Sequence, residues 1–152
     1  MPKRFSWVIE EKLAGMERPG SLCDIEEDLT FLRKKKINVI VNLEEHFRNY
    51  DDFETKHIPV EDFKAPKQED FEEFVNFVYT SIQSGRRLVV HCYAGMGRTN
   101  LMIASYLTHQ LDIVPDIALD IVKERRPMYF VNQEQIEALR NYYIKIRGEL
   151  TS

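Results

Sequence analysis

Cysteine is scarce in this chain. Cys23 and Cys92 are the only two among 152 residues, which excludes a disulfide framework and makes a reducing, cytoplasmic setting the expectation. Long apolar runs are missing as well: none approaches the roughly 20 residues that a membrane span requires. The opening stretch Met1-Pro2-Lys3-Arg4-Phe5-Ser6-Trp7 lacks the apolar segment of a secretory leader. Positive charge does not dominate. Lysine and arginine number 21 against 25 acidic residues, for a net charge of −4. That balance argues against binding long nucleic acid through summed charge, although it leaves room for a local basic pocket. Glycine and proline occur six times each, with no linker tract, repeat or low-complexity segment, so residues 1–152 are expected to form one domain. His46, His57 and His109 show no metal-ligand spacing with either cysteine, and no metal or other cofactor is expected. What remains is 43% hydrophobic and 30% charged, the balance of a globular domain with a real core.

Strand and helix patterns alternate along the chain. Ile37 to Leu43 is a β-branched run suited to a strand buried on both faces. The helix ahead of it, Glu26 to Lys36, turns Leu29 and Leu32 inward and ends in lysines, where the helix dipole favours cations. His57-Ile58-Pro59-Val60 is a short extended piece, and Pro59 marks an edge or a strand end. Phe71, Phe74, Val75, Val78 and Ile82 recur at helical spacing, with Gly85 closing that helix. Leu88 to His91 is a short apolar strand, and Leu101 to Leu111, apolar on most sides, reads as a buried helix. Pro115 suits the first turn of the next helix, with Ile117, Ala118, Ile121 and Val122 inward. Asn132 can cap a last helix whose stripe is Ile136, Leu139, Tyr143 and Ile146. The expected fold class is therefore α/β, a central, mostly parallel sheet flanked by helices with ligands at the strand ends.

The chemistry is concentrated in His91-Cys92-Tyr93-Ala94-Gly95-Met96-Gly97-Arg98-Thr99. A cysteine at the end of a buried strand is by itself most often an inert core residue, and a Gly-x-Gly turn is most often only a turn. The combination, placed between a strand and a helix, is hard to obtain by accident. Gly95 and Gly97 let the backbone curl until successive N–H groups converge, an anion-binding nest. The helix beginning near Arg98 adds its positive end. Arg98 offers a planar fork that can hold two phosphoryl oxygens at once. Cys92 lies at the base of this electropositive bowl, where a thiolate is favoured and is positioned to attack phosphorus in line.

This segment resembles the HCxxGxxR[ST] signature of the cysteine-dependent, dual-specificity protein phosphatases, in particular their compact members with little beyond the catalytic domain. The resemblance extends over nearly the whole chain. Phe5 to Ile9 and Leu13-Ala14-Gly15 are similar to that group's opening strands, Ile58 to Pro66 to its acid-bearing loop, and Arg126-Pro127 with Glu134-Gln135 to its late active-site segment. It implies a protein tyrosine phosphatase-like fold and named roles. Cys92 would be the nucleophile. Arg98 and the backbone of Tyr93, Ala94, Gly95, Met96, Gly97 and Arg98 would bind the phosphoryl oxygens. Asp62 would be general acid and then base, favoured by the family's spacing over Glu61 and Asp70. Thr99 would donate to the Cys92 sulfur, His91 would orient the loop and help hold the cysteine ionised, and Gln135 could position the hydrolytic water. The family carries glycine after the Ser/Thr, where this chain has Asn100. Loss of that close-packing glycine implies a slight shift of Arg98, with consequences for rate and substrate preference rather than reaction class.

The five residues inside the loop, Tyr93 to Gly97, contain no lysine or arginine. Relatives acting on inositol lipids tend to carry cations there, so their absence favours monophosphoesters. A short chain without a pocket-deepening insertion implies a shallow site, open to phosphoserine and phosphothreonine as well as phosphotyrosine. Phosphorylated proteins or peptides are the expected substrates, and a monomer the expected state. A non-catalytic phosphopeptide-binding module, and a phosphatase of RNA 5′ ends or phosphoinositides, are the alternatives. A rhodanese-like sulfurtransferase fits Arg98 and Asp62 less well, and the low-molecular-weight phosphatases carry their Cys-x5-Arg near the N-terminus. Arg33 to Lys36 reads as a solvated helix end. Arg86-Arg87 and Arg125-Arg126 could widen the positive field, with ordinary surface charge at least as good a reading of the first pair. The Phe and Tyr stripes read as core, and Cys23 as a structural thiol or a reversible disulfide partner of Cys92.

Overall fold

The alternation of apolar side chains along the short strands sets up two hydrophobic layers, one on each face of a single sheet. The computed structural model describes residues 4–151; Met1 to Lys3, part of the stretch read for a leader, lie outside it. In chain order the elements are β1 (Ser6–Ile9), β2 (Leu13–Met16), α1 (Ile25–Lys34), β3 (Val39–Asn42), β4 (Glu54–His57), α2 (Gln68–Gln83), β5 (Leu88–His91), α3 (Arg98–Leu111), α4 (Pro115–Arg125) and α5 (Gln133–Thr151). The strands lie in the order β1-β2-β5-β3-β4. β1 pairs antiparallel with β2, and every other pairing is parallel, with Val89 of β5 opposite Ala14 and Ile40. The mostly parallel α/β sheet expected from the sequence is thus present.

Period-2 geometry sends Leu88 and Val90 of β5, with Val39 and Val41 of β3, into the layer packed by α2, α3 and α5. Val89 and Ile40 point the other way, onto Leu29 and Leu32 of α1. Burial on both faces explains why the central strands read as continuous apolar runs. β5 lies at the middle of the sheet, so its C-terminal end opens between its two neighbours, the position where parallel sheets hold ligands.

Several boundaries shift from their predicted positions for identifiable reasons. α1 stops at Lys34 because Lys36 turns left-handed, at φ 63°. The Ile37 N–H then closes back on the Leu32 carbonyl at 3.0 Å, so Ile37 and Asn38 belong to the turn rather than to β3. The extended stretch at residue 57 is the end of a strand that begins at Glu54, on the sheet edge, and Pro59 lies just past it. In α4 it is Leu119, with Ala118 and Val122, that is buried, while Ile117 is exposed. Apolar residues occupy so many positions of that helix that spacing alone does not choose a face. In α5 the buried ring is Tyr142 rather than Tyr143, stacked on Phe71 at 5.1 Å between centroids. Asn132 caps α5 as expected: its Oδ1 accepts from the Gln135 N–H, and the Gln135 Oε1 accepts in return from the Asn132 N–H. Among the described residues no helix is long and apolar enough to cross a membrane.

Candidate active site

His91 closes β5, and the chain then curls from Cys92 to Gly97 before α3 begins at Arg98. Gly95 has φ 75°, a left-handed conformation that glycine adopts without strain. A Cβ there would lie 2.5 Å from the Met16 carbonyl oxygen. The carbonyls of this loop are all turned outward onto donors. Cys92 O accepts from His91 Nδ1, Tyr93 O from the Arg18 N–H, Ala94 O from Arg4 Nη1, and Gly95 O from Arg126 Nη2. Met96 O accepts from the Phe130 N–H and from Asn100 Nδ2. In a planar trans peptide the N–H opposes its carbonyl, so the loop's N–H groups face its interior. None of those from Tyr93 to Gly97 donates to another described residue. Together with the start of α3 they form a concave array of N–H donors, an arrangement suited to an anion.

Cys92 is buried at the base of this loop, and its Sγ accepts a hydrogen bond from Thr99 Oγ1 at 3.1 Å. Arg98 is only 3% exposed. Its Nη1 donates to the Val60 carbonyl at 2.9 Å and to Glu45 Oε1 at 3.0 Å, and its Nη2 pairs with Asp62 Oδ1 at 3.3 Å. Its Nε is buried with no partner among the described residues. One corner of the guanidinium is therefore tied down, and the Nε–Nη2 edge is the one left to take an anion in bidentate fashion. Glu45 is held ionised, its carboxyl below the usual range through its own backbone N–H, the Asp62 N–H and the Arg98 charge, which together outweigh partial desolvation. Glu45→Gln should lower kcat/KM for an aryl phosphate by about two- to fivefold, the scale of one half-exposed ion pair. Steady-state kinetics at neutral pH checks this.

His91 is fully buried. Because its Nδ1 faces the Cys92 carbonyl, that nitrogen must carry the proton, and Nε2 accepts from the Tyr50 hydroxyl at 3.1 Å. Burial pushes the imidazole down to about 3, with the Arg48, Arg18 and Arg98 charges adding to the effect against the Cys92 backbone bond. The ring is therefore neutral, with Nδ1 tied to the Cys92 carbonyl and Nε2 to Tyr50, and adds no positive charge beside the sulfur. Burial also raises the Tyr50 phenol to about 12, so it remains a donor. An unfolded histidine titrates near 6.5, well above the native value. The unfolded chain thus takes up the proton first, and stability present above about pH 6.5 should be lost as pH falls from there toward 3. Urea midpoints measured across that range, in wild type and His91→Gln, test this; the variant should show the shallower loss.

A pocket of about 120 Å3 lies over Cys92, walled by Asp62, Tyr93, Ala94, Met96, Gly97, Arg98 and Gln135. The structure thus places Asp62 in the wall of the pocket that Cys92 floors and leaves the other two candidate acids elsewhere. Asp70 caps α2 through the Lys67 N–H at 2.9 Å, and Glu61 is exposed outside the pocket. Gln135 is buried, and its Nε2 donates to the Lys64 carbonyl, which ties the acid loop to α5. Phe63 and Phe130 stand at the mouth, edge to face at 6.3 Å, and with Tyr93 they are more than half exposed. These three are not core, as an aromatic stripe suggests. Arg126 is not a surface cation either: it is 2% exposed beneath the loop.

Sequence reasoning missed Glu45, Tyr50 and the pairing of Asn100 with Arg126. For Glu45 a signal existed, since it follows the C-terminal end of β3, beside β5. Cys23 and Cys92 are not joined in a disulfide. Among the described residues no group of three or more His, Cys, Asp or Glu is placed to hold a metal ion.

Residues 14–111 match the family described as "Polymorphic toxin system, DSP-PTPase phosphatase". Over 97 residues, 63% of the chain, it is 37% identical to dual specificity protein phosphatase 1-A of Xenopus laevis, covering 26% of that protein. Over 107 residues, 68% of the chain, it is 33% identical to dual specificity protein phosphatase 2 of Mus musculus, covering 34% of it. The chain thus spans about a quarter to a third of the length of these relatives. The crystal structure of Tk-PTP in the active form is similar in fold, with a TM-score of 0.82 at 22% identity over 95% of this chain and 99% of that one.

Proposed function

The chain belongs to the DSP-PTPase phosphatase family, and from that premise we propose that it is a phosphomonoesterase that hydrolyses phosphotyrosine, and also phosphoserine and phosphothreonine, in proteins through a cysteinyl-phosphate intermediate. The observation that carries this reading is the loop itself, with its carbonyls bound outward, its N–H groups turned inward around Cys92, and an Arg98 edge on which Nε has no partner and Nη2 meets only Asp62. Such an array stabilises the charge on three equatorial oxygens in a phosphoryl transfer.

In the first step the Cys92 thiolate attacks phosphorus. An S–P bond forms as the ester P–O bond breaks, and the Asp62 proton passes to the leaving oxygen. Phosphate taking the Nη2 edge of Arg98 displaces Asp62 from its ion pair at 3.3 Å and frees that carboxyl for the leaving group. In the second step water attacks phosphorus, its proton goes to Asp62, and the S–P bond breaks. The Thr99 hydroxyl at 3.1 Å supports the departing thiolate. Gln135, at the pocket wall, would orient that water. Neither step calls on a cofactor. The absence of cations from Tyr93 to Gly97 favours protein monophosphoesters over inositol lipids and RNA ends. A monomer acting in the cytoplasm completes the proposal.

Release of inorganic phosphate from an aryl phosphate, with EDTA present throughout, tests it. Sustained turnover with a phosphoryl adduct trapped on Cys92 by acid quench is the expected result. Absence of turnover in folded protein would leave a phosphopeptide-binding module.

A further inference from the structure

Beneath the candidate site, on the side away from the pocket, Arg126 and Asn100 form a buried polar pair that none of the proposed chemical steps uses. Arg126 Nε donates to Asn100 Oδ1 at 2.7 Å, Nη1 to the Arg4 carbonyl and Ser6 Oγ at 2.9 and 3.1 Å, and Nη2 to the Gly95 carbonyl. Asn100, fully buried in the first turn of α3, donates through its single amide nitrogen to the Met96 carbonyl at 2.8 Å and the Met128 carbonyl at 3.1 Å. Two consecutive loop carbonyls, Gly95 and Met96, are thus held from below by one pair of side chains. The space for Arg126 is made by Gly15 of β2, where a Cβ would lie 2.7 Å from Arg126 Cζ. Burial brings the guanidinium down to about 10, against the pull of Cys92 and Glu17, so it is charged at neutral pH.

We propose that Arg126 and Asn100 are positioning residues that preset the anion loop, holding the Gly95 and Met96 carbonyls outward so that the opposing N–H groups face the phosphate before it arrives. This rests on the reading of the loop as a phosphate site. A buried side chain with four directed hydrogen bonds has no freedom to follow a moving loop, and an anion site assembled in advance loses no binding energy to reorganisation. Asn100 is then a working part of the loop, not a lapse from glycine. The planar fork is required: a lysine cannot reach Asn100, β1 and Gly95 together.

The test uses the full chain with inorganic phosphate as probe, read as calorimetric binding and as competitive inhibition of aryl phosphate turnover. In Arg126→Ala that still unfolds cooperatively, phosphate binding should weaken and turnover fall by about 10²-fold. Arg126→Lys should be nearly as impaired. Guanidinium ion at millimolar concentration should restore Arg126→Ala through the cavity of about 170 Å3 between Arg126, Phe5 and Met128, whereas methylammonium at equal ionic strength should not. A purely packing role would lower the melting temperature without this selective rescue. Folded Arg126→Ala that binds phosphate as wild type does, or rescue by both cations alike, would overturn the proposal. If Arg126→Ala does not fold, Asn100→Ala decides: binding weakened by about tenfold supports it, and unchanged binding overturns it. Phosphate binding that depends on Arg126 in a wild type without turnover would instead reject the phosphatase reading and leave the brace standing.

Discussion

Cys92→Ser is expected to abolish turnover, by roughly 10⁴–10⁶-fold, while phosphate and phosphopeptide binding persists. The two halves of this result have separate causes. Binding comes from the loop's inward N–H groups and from Arg98, whose Nη1 is fixed by Glu45 and Val60 rather than by the cysteine. Turnover needs a nucleophile that is ionised near neutral pH, and a serine hydroxyl in the same place is not. The site should tolerate the exchange of sulfur for oxygen, because Thr99 Oγ1 can donate to either atom. Calorimetry beside a phosphate-release assay separates the two. Loss of both together, in protein that still unfolds cooperatively, would place the nucleophile elsewhere.

Asp62→Asn should slow hydrolysis by roughly 10²–10⁴-fold. The side chain is half exposed, and its Oδ1 lies 3.3 Å from Arg98 Nη2 and 3.0 Å from the Phe63 N–H. An asparagine keeps the shape and the acceptor oxygen while removing the transferable proton. The deficit should therefore grow with the basicity of the leaving group: modest for a nitrophenyl ester and largest for an alkyl ester such as phosphoserine, whose alkoxide cannot leave unprotonated. A deficit that does not depend on the leaving group would shift the role to Glu61, the adjacent carboxylate.

How much of this was legible without a structure varied by feature. The strand Leu88–His91 and the helix capped at Asn132 emerge where the sequence marks them. So do the adjacency of Cys92, Arg98 and Thr99, since residues within one tight turn are brought together by the turn itself. The sheet's parallel character follows from strands separated by helices. Asp62 was legible only through resemblance, because 25 acidic residues offer many loop carboxylates. Its place in the pocket wall depends on Asn42 and Leu43 pairing with Ile58 and Val60, which carries the following loop toward the end of β5.

What the sequence by itself determined was local: a cysteine at a strand end, glycines that permit the curl, an arginine at a helix start, and apolar runs long enough to bury a sheet on both faces. What only the tertiary structure decided is which distant groups complete the site. Glu45 fastens Arg98, Tyr50 selects the neutral tautomer of His91, and Arg4, Arg18, Asn100, Arg126 and Phe130 take the loop's outward carbonyls. Backbone carbonyls carry no residue identity, so a donor directed at one leaves no signature in the spacing of side chains. Buried polar groups must nonetheless be satisfied, and folding supplies their partners from wherever in the chain they happen to lie.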